Sequence, residues 1–422
     1  MKKAHAHFRL TTIATAMIQA ALLTPSLVSA APPPGMTAAN ANTSVTLAPN
    51  GVPLVNIATP NAAGLSHNQY TQFNVDSRGA VLNNVSASQV SQTSQLAGQV
   101  YANPNLNNAA HVILNEVVAP NRSQLNGYLE VAGGKADVVV ANPFGITCNG
   151  CGFINTDRAS LTTGTPMFGA DGGLSGFQVN GGDVLISGAG LDGKNQSYFD
   201  IVTRSVKLDG QVNAGDLNIT TGPGTWNYAS RTSTASAPSG AAPDYAFDST
   251  ALGGMYANKI KIVANEAGVG VRMLGDAAAT GSDFSIDAAG KIQLSSHVSA
   301  QGDIAAHTSA MGADALTVSG ANASLAAHGN IDLAAANGGV TLTDGSLAAD
   351  GGLTISATSL TDSSTMGATR FAGKDASVNV SGAASMSGTA WGAGGSFGVN
   401  AGSLALGSNT KLYSGTDSTA AN

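Results

Sequence analysis

The chain has 422 residues and is poor in charge. Asp, Glu, Lys and Arg make up 10% of it, against about 25% in an average protein. The net charge of −7 is spread thinly, and no cluster of Lys and Arg follows residue 9. Because nucleic-acid binding depends on concentrated positive charge, this composition argues against it.

The first 30 residues have the pattern of an export signal. A mostly apolar run over residues 10–27 is followed by small residues, with cleavage predicted between Ala30 and Ala31. The positive start consists of Lys2, Lys3 and Arg9. An N-terminal membrane helix is the alternative, but polar residues and a proline interrupt the run, and no later run approaches the roughly 20 apolar residues of a span. The sequence therefore predicts entry into the Sec translocon and a mature chain without a membrane anchor.

Residues 31–44 lack periodicity and are predicted to be a flexible leader. From Val45 onward one unit repeats, namely two apolar residues separated by a single residue and followed by a turn rich in Gly, Asn, Asp or Ser. Alternation with period two places both apolar residues on one face of a strand. Several pairs recur at a similar spacing, as at Ile331 and Leu353.

Short strands at a fixed spacing predict a solenoid. The expected fold is all-β, a right-handed parallel β-helix with small extra β elements near its N-terminal cap. A β-sandwich is the competing fold, but sandwich strands are longer and richer in aromatic residues than the 5% found here.

The strand repeat suggests the domain plan. Residues 45–275 carry the repeat together with the motifs of the family resemblance given below, which set the boundary at 275. The Ser-, Pro- and Ala-rich residues 222–250 interrupt the repeat as a flexible surface excursion or hinge. Residues 276–422 carry only the generic repeat, with no visible closing cap. Since solenoids need capped ends, the sequence predicts the front part of a longer filament or a truncated product.

Two Asn-Pro segments interrupt the strands. Both are expected to be type I turns with proline at the second position. Their residues are Asn103, Pro104, Asn105 and Leu106 in the first turn, and Asn142, Pro143, Phe144, Gly145 and Ile146 in the second. The turns either only shape the chain or form a surface that a partner reads, and the residues alone leave both hypotheses open.

Cys148 and Cys151 are the only cysteines. A redox site would need a helix N-terminus in an α/β context, and zinc would need two further ligands; neither is visible. A local disulfide in an exported chain is the favoured interpretation. No metal or cofactor site is predicted.

Catalytic motifs are absent from the sequence, so an enzyme is not expected. His67, Glu116 and Glu130 lie in β patterns and are interpreted as structural, although partner contacts are the alternative. A β-helix enzyme acting on carbohydrate would need carboxylates or arginines grouped on one coil face, and the sequence does not indicate such a group.

The chain resembles the secretion domain of two-partner secretion exoproteins, the filamentous-haemagglutinin-like family, over roughly residues 45–275. The segments that carry the resemblance are ADVVVANPFGITCNGCGFINTDRASLTTG at 136–164, GLSHNQYTQFNV at 64–75, GAVLNN at 79–84, QLAGQVYANPNL at 95–106, ILNEV at 113–117, GAGLDGKNQSYFDIVTRSV at 188–206 and ALGGMYANKIKIVANEAGVGVR at 251–272. One departure is Phe144, which stands where a common form of the family's second motif has Asn.

The resemblance implies a partner, a location and a role. The partner is an outer-membrane β-barrel transporter with periplasmic POTRA domains, which would recognise the Asn-Pro segments. The product would reach the surface or surroundings of a Gram-negative cell as an adhesin-like filament, with receptors on host or neighbouring cells. A haemolysin or contact-dependent inhibition toxin exported in the same way is the alternative, and a carbohydrate-active β-helix enzyme is a third.

Overall fold

The computed structural model describes residues 35–415. The predicted signal segment with its cleavage site at Ala30 and Ala31, and residues 416–422, lie outside the described residues. The chain is about 60% strand and 1% helix, and it forms a β-solenoid of about 15 turns. The predicted parallel β-helix is thus confirmed.

Three parallel ladders of strands form the solenoid, and each coil supplies one strand segment to each ladder. The first ladder contains Pro53–Asn56, Ala80–Asn84, Tyr128–Gly133, Cys151–Ile154, Ala277–Ala279, His297–Ala300, Ser324–Ala327, Ser346–Ala349, Thr369–Ala372, Ala390–Ala393 and Lys411–Ser414. The second contains Leu65–Phe73, Val112–Val117, Asp137–Ala141, Arg158–Thr162, Phe284–Ala288, Ala376–Val380 and Phe397–Asn400. The third contains Ser123–Leu125, Ile146–Cys148, Asp183–Ser187, Ser205–Asp209, Tyr245–Ser249, Gly270–Met273, Ile292–Leu294, Ala383–Ser387 and Ser403–Leu406.

Six longer strands turn a corner of the coil and contribute to two ladders each. Leu191–Thr203, Val212–Thr221 and Met255–Ala264 join the first ladder to the second. Ile304–Ser319, Ile331–Thr343 and Leu353–Ser363 join the second ladder to the third.

The remaining elements lie outside the ladders. They comprise the N-terminal strands Met36–Ala38 and Ser44–Leu47, the short 3-10 helix Ala87–Gln89, the hairpin Ser91–Ser94 and Gly98–Tyr101, and the antiparallel sheet of Thr165–Phe168, Leu174–Val179, Gly224–Asn227 and Thr232–Ala235. We call this four-stranded sheet the outer sheet.

The apolar pairs of the sequence line the inside of the coils. In the second ladder, Ile260 stacks on Phe284, Ile304, Ile331 and Leu353 in consecutive coils, and all five side chains are fully buried. Each added coil therefore completes the backbone hydrogen bonds of the coil before it and covers its apolar residues.

Two elements pack on the outside of the solenoid. The hairpin covers the outer face of the first ladder through Val81, Val100 and Ala132. The outer sheet covers the outer face of the second ladder, where Phe177 and Trp226 are buried against Val139. Both elements sit on the part of the solenoid that precedes residue 236.

Two segments that were predicted to be flexible contain paired strands in the structure. Within the leader, Met36–Ala38 pairs with Leu65–Phe73 and Met36 is buried, because an apolar residue at the open end of a solenoid can cap its core. Within residues 222–250, two strands belong to the outer sheet and Tyr245–Ser249 belongs to the third ladder. Residues 222–250 thus contain paired strands both outside and inside the ladders.

The part of the chain that the structure describes contains no helix with the length and hydrophobicity that a membrane crossing requires.

Candidate functional site

The second Asn-Pro turn lies at the corner between the second and third ladders, directly after Asp137–Ala141. Asn142 is fully buried. Its side-chain Nδ2 donates to the Asn121 carbonyl at 2.8 Å and to the Ser123 hydroxyl at 2.9 Å, while its Oδ1 accepts the Phe144 N–H at 2.9 Å. The Gly145 N–H donates to the Asn142 carbonyl at 3.0 Å and closes the turn. The asparagine therefore ties this corner to the coil before it.

The first Asn-Pro turn is built in the same way at the corner that leads into the second ladder. Asn103 is buried and its Nδ2 donates to the carbonyls of Ile57 at 3.0 Å and Asn83 at 2.9 Å. Its Oδ1 accepts the Asn105 N–H at 3.0 Å, and the Leu106 N–H donates to its carbonyl at 3.0 Å. Both asparagines thus hold a corner of the coil to a neighbouring segment through side-chain hydrogen bonds.

The structure does not bring the two turns together, because they occupy different corners of the solenoid. Leu106 and Ile146 point into the core, whereas Pro104 and Phe144 are exposed. The Phe144 side chain is 46% exposed and is the largest apolar group that either turn presents to solvent.

Gly145 lies directly above a charged group. Its φ of +102° belongs to the left-handed region that favours glycine, and a Cβ at this position would lie 3.0 Å from the Arg122 guanidinium carbon. Arg122 donates to both carboxylate oxygens of Asp183, at 2.8 and 2.7 Å, and to the Ile146 carbonyl at 2.9 Å. The ion pair therefore connects the coils on either side of the turn.

A disulfide joins Cys148 to Cys151, with the two Cα atoms 5.3 Å apart. Both cysteines are buried. The bridge spans the corner at which Ile146–Cys148 of the third ladder passes into Cys151–Ile154 of the first. It therefore lies one corner downstream of the second Asn-Pro turn.

The carboxylates that the sequence singled out have structural partners. Glu130 is buried and accepts the Ser94 hydroxyl at 2.6 Å together with the backbone N–H groups of Gln95 and Leu96. Glu116 lies 2.7 Å from the His67 imidazole. Burial opposes ionisation of Glu116, but hydrogen bonds from His67 and Gln69 outweigh it and hold the pKa of Glu116 below its ordinary value.

Sequence reasoning missed a buried charge cluster beneath the outer sheet. The fully buried Asp200 carboxylate accepts from Arg158 and from Arg231, each at 2.8 Å. The Arg158 guanidinium lies 3.8 Å from the centroid of the Tyr228 ring, and the Tyr228 hydroxyl donates to Asp137 at 3.0 Å. These residues are far apart in sequence and follow no motif, so no sequence signal could have grouped them.

No group of three or more His, Cys, Asp or Glu side chains within residues 35–415 is placed to hold a metal ion.

This fold and its sequence match those of known secretion domains. The family model for the TPS secretion domain matches residues 33–294, a range that encloses the predicted residues 45–275. The solved filamentous haemagglutinin secretion domain is 34% identical, covers 76% of this chain and 99% of its own length, and superposes with a TM-score of 0.61.

Two curated relatives extend the comparison. The tRNA nuclease CdiA of Yersinia mollaretii is 47% identical over 64% of this chain, and the 16S rRNA endonuclease CdiA of Enterobacter cloacae subsp. cloacae is 42% identical over 82% of it. The matched segments are only 9% and 11% of the length of these relatives. Since the family model alone matches more than half of the chain, the chain belongs to the two-partner secretion exoproteins, and residues 33–294 are its TPS secretion domain.

Proposed function

We propose that the secretion domain is recognised in extended form by the POTRA domains of its transporter and then nucleates the β-helix outside the cell. Membership in the family implies a cognate outer-membrane transporter and export from a Gram-negative cell to its surface or surroundings. The signal segment, Ala30–Ala31 cleavage and the Sec translocon would supply the first step across the inner membrane. Strand addition to an open sheet edge would supply the recognition.

The observation that carries the proposal is that the coils stack one after another along a single axis. The strands of each ladder pair with the neighbouring coils. An emerging chain can therefore add one coil at a time, with backbone hydrogen bonds and buried apolar pairs gained at every step. Burial at about 25 cal/mol per Å² of apolar surface offsets part of the ordering entropy of each coil and favours forward movement.

Different residues of the two Asn-Pro turns would serve folding and transporter recognition. Asn103 and Asn142 would fix the first corners through their buried side-chain hydrogen bonds. Phe144, whose side chain is half exposed, would contact the transporter.

The similarity to CdiA proteins favours the contact-dependent inhibition toxin over the adhesin as the full product. The names of those two relatives assign nuclease activities to proteins about ten times longer than the matched segments. We propose that the described residues act in export and that any effector activity belongs to a different part of such a product. The described β-helix would then be the N-terminal part of the exported filament and would not itself be an enzyme.

Binding of the isolated POTRA domains tests the proposal. The mature chain is unfolded in urea, diluted rapidly, and offered to the POTRA domains either at once or after refolding. We expect binding to the freshly diluted chain and at least about tenfold weaker binding to the refolded chain, a difference of about 1.4 kcal/mol. Equal binding of both forms, or stronger binding of the refolded chain, would contradict recognition in extended form.

A further inference from the structure

A groove lined by both polar and apolar groups runs along the outer face of the third ladder. Its volume is about 1240 Å³, and its floor is formed by four consecutive third-ladder strands, Ser205–Asp209, Tyr245–Ser249, Gly270–Met273 and Ile292–Leu294. At the strand spacing of about 4.8 Å, four strands give a floor about 14 Å long. Segments at residues 243–244, 267–268 and 309–311 border the groove at the corner where the second ladder passes into the third.

The floor presents two parallel columns of outward side chains. One column contains Lys207, Asp248, Arg272 and Gln293 in successive coils. The other contains Ser205, Tyr245, Gly270 and Lys291. Gly270 carries no side chain between Tyr245 and Lys291, and a Cβ there would lie 2.8 Å from the Lys291 carbonyl oxygen, so the backbone of the next coil leaves no room for one.

Several polar groups of the groove are not used by the fold. Among the described residues, neither Lys207 nor Asp244 takes part in an ion pair, and the Gln293 side-chain amide makes no hydrogen bond. In contrast, Arg272 is held by the Asp248 carboxylate at 2.8 and 3.0 Å and lies 4.3 Å from the centroid of the Tyr245 ring. The groove thus combines a fixed aromatic and guanidinium surface with free donors and acceptors.

The charge of the lining narrows the class of ligand. Three cationic side chains (Lys207, Arg272 and Lys291) balance three anionic ones (Asp183, Asp244 and Asp248). A phosphate polymer would be repelled by the carboxylates and would need an excess of positive charge. A hydroxyl group both donates and accepts, so a ligand rich in hydroxyls can use lysine, carboxylate and amide partners at once.

We propose that this groove binds a neutral oligosaccharide lying along the solenoid axis. The floor repeats once per coil, at about 4.8 Å, which is comparable to the length of one sugar unit. A linear glycan can therefore present one unit to each coil, with the apolar face of a ring on Tyr245 and its hydroxyls on Lys207, Asp244 and Gln293. Glycan binding by this groove does not depend on the export role proposed above.

Calorimetric titration of the mature chain with short fragments of neutral β-glucan, mannan and galactan tests the proposal. Heparin and polyglutamate serve as charged probes, and an unrelated extended peptide serves as a protein-like probe. We expect saturable binding of at least one neutral glycan that persists at high salt. Binding of only the charged probes or only the peptide, or no binding at all, would overturn the assignment.

Paired surface variants locate the site. The double change Lys207→Ala with Gln293→Ala removes two groove side chains that the fold does not use, and should weaken glycan binding at least about tenfold. The matched control, Lys261→Ala with Ser385→Ala, removes outward side chains elsewhere on the second and third ladders and should leave binding unchanged. Equal effects of the two double variants, or no effect of either, would contradict the groove as the site.

Discussion

Individual buried polar side chains hold the corners and the core of the solenoid in register. Asn103 and Asn142 each satisfy two acceptors of neighbouring segments and cap one N–H of their own turn. An unpaired polar group left behind in such a site costs more than the hydrogen bond itself contributes. These two residues should therefore be much less tolerant of change than the exposed residues beside them.

The second Asn-Pro turn allows the structural and export roles to be separated. Asn142→Ala should lower the free energy of unfolding by about 2–3 kcal/mol, because it leaves buried partners unpaired. Phe144→Ala should change it by less than about 0.5 kcal/mol, because the side chain is half exposed. Urea denaturation of both variants measures these values.

The same two variants bear on the proposed transporter contact. If Phe144 is contacted, Phe144→Ala lowers the amount of chain in the medium although its stability is unchanged. Export of Phe144→Ala at the native level would restrict the turn to shaping the coil.

A buried ion pair occupies a core position near the C-terminal coils. Arg370 donates to Asp362 at 2.8 Å, both side chains are fully buried, and Asp362 also accepts from Thr389 at 2.9 Å and from Trp391 at 2.7 Å. The preceding coil has Leu342 and Leu347 at the aligned positions. A polar network therefore replaces leucines at one level of an otherwise apolar stack.

Arg370→Leu should destabilise the chain by about 3–5 kcal/mol, because it leaves the Asp362 carboxylate buried without its countercharge. The double change Asp362→Leu with Arg370→Leu should cost less than the single change, since no isolated charge stays behind. Chemical denaturation of both variants measures the difference. A double variant that is less stable than the single one would mean that the Asp362 bonds to Thr389 and Trp391 dominate.

Asp137 links the second ladder to the outer sheet, and its carboxyl should make the stability of the fold depend on pH. Burial raises the pKa of its carboxyl above the ordinary value, although the Tyr228 hydroxyl and Arg158 act in the opposite direction. Because the folded-state pKa is the higher one, the folded chain holds this proton more tightly. Stability contributed by Asp137 therefore falls as the pH rises from the ordinary carboxyl value of about 3.9 through the raised value.

Asp137→Asn keeps an acceptor for Tyr228 and removes the titration. The variant should gain stability relative to the native chain as the pH rises through that window, with a constant advantage above it. Urea unfolding of both chains at a series of pH values measures the difference. A difference that does not change with pH would exclude Asp137 as a titrating group in this range.

At the scale of elements, the outer sheet shows how far the sequence could predict the fold. The ladders follow from local alternation, so pairs such as Ile331 and Leu333 could be assigned to a solenoid core before the structure was known. The outer sheet pairs Leu174–Val179 with Gly224–Asn227, about 50 residues apart, and no local pattern encodes that pairing. The Ser- and Pro-rich composition of residues 222–250 therefore suggested flexibility where the structure has strands.

In the candidate site, too, local features could be predicted from the sequence and long-range contacts could not. The two Asn-Pro turns stand out because proline and asparagine favour turns locally. The Asp200 cluster depends on which residues the coils stack together, and that register is set by the whole ladder. The groove on the third ladder escaped notice for the same reason, since its floor combines residues from four coils.

The outer sheet should stabilise the solenoid wall on which it packs. Trp226→Ala should cost about 3–5 kcal/mol, because the ring is buried against Phe177 and against the Arg158 guanidinium. Leu252→Ala, at a side chain that is 74% exposed, is the control and should have little effect. Equal unfolding midpoints for the two variants would mean that the outer sheet opens without affecting the coils.

At the scale of the whole molecule, one construction rule accounts for both the fold and its export. Each ladder strand pairs with the coil before it, so the ladders can be completed in the order in which the chain emerges. The N-terminal strands, the hairpin and the outer sheet all belong to the matched secretion domain at residues 33–294. This domain therefore carries the structural elements that a folding nucleus would need, and the plainer coils follow it.

Transporter-dependent export measures the central claim most directly. The full chain is produced in a Gram-negative host with its cognate transporter, with a transporter lacking POTRA domains, or with none, and the folded chain in the medium is quantified by protease resistance. We predict protease-resistant chain in the medium only with the intact transporter, and accumulation of the chain inside the cell otherwise. Equal release in all three strains would contradict an export role for residues 33–294.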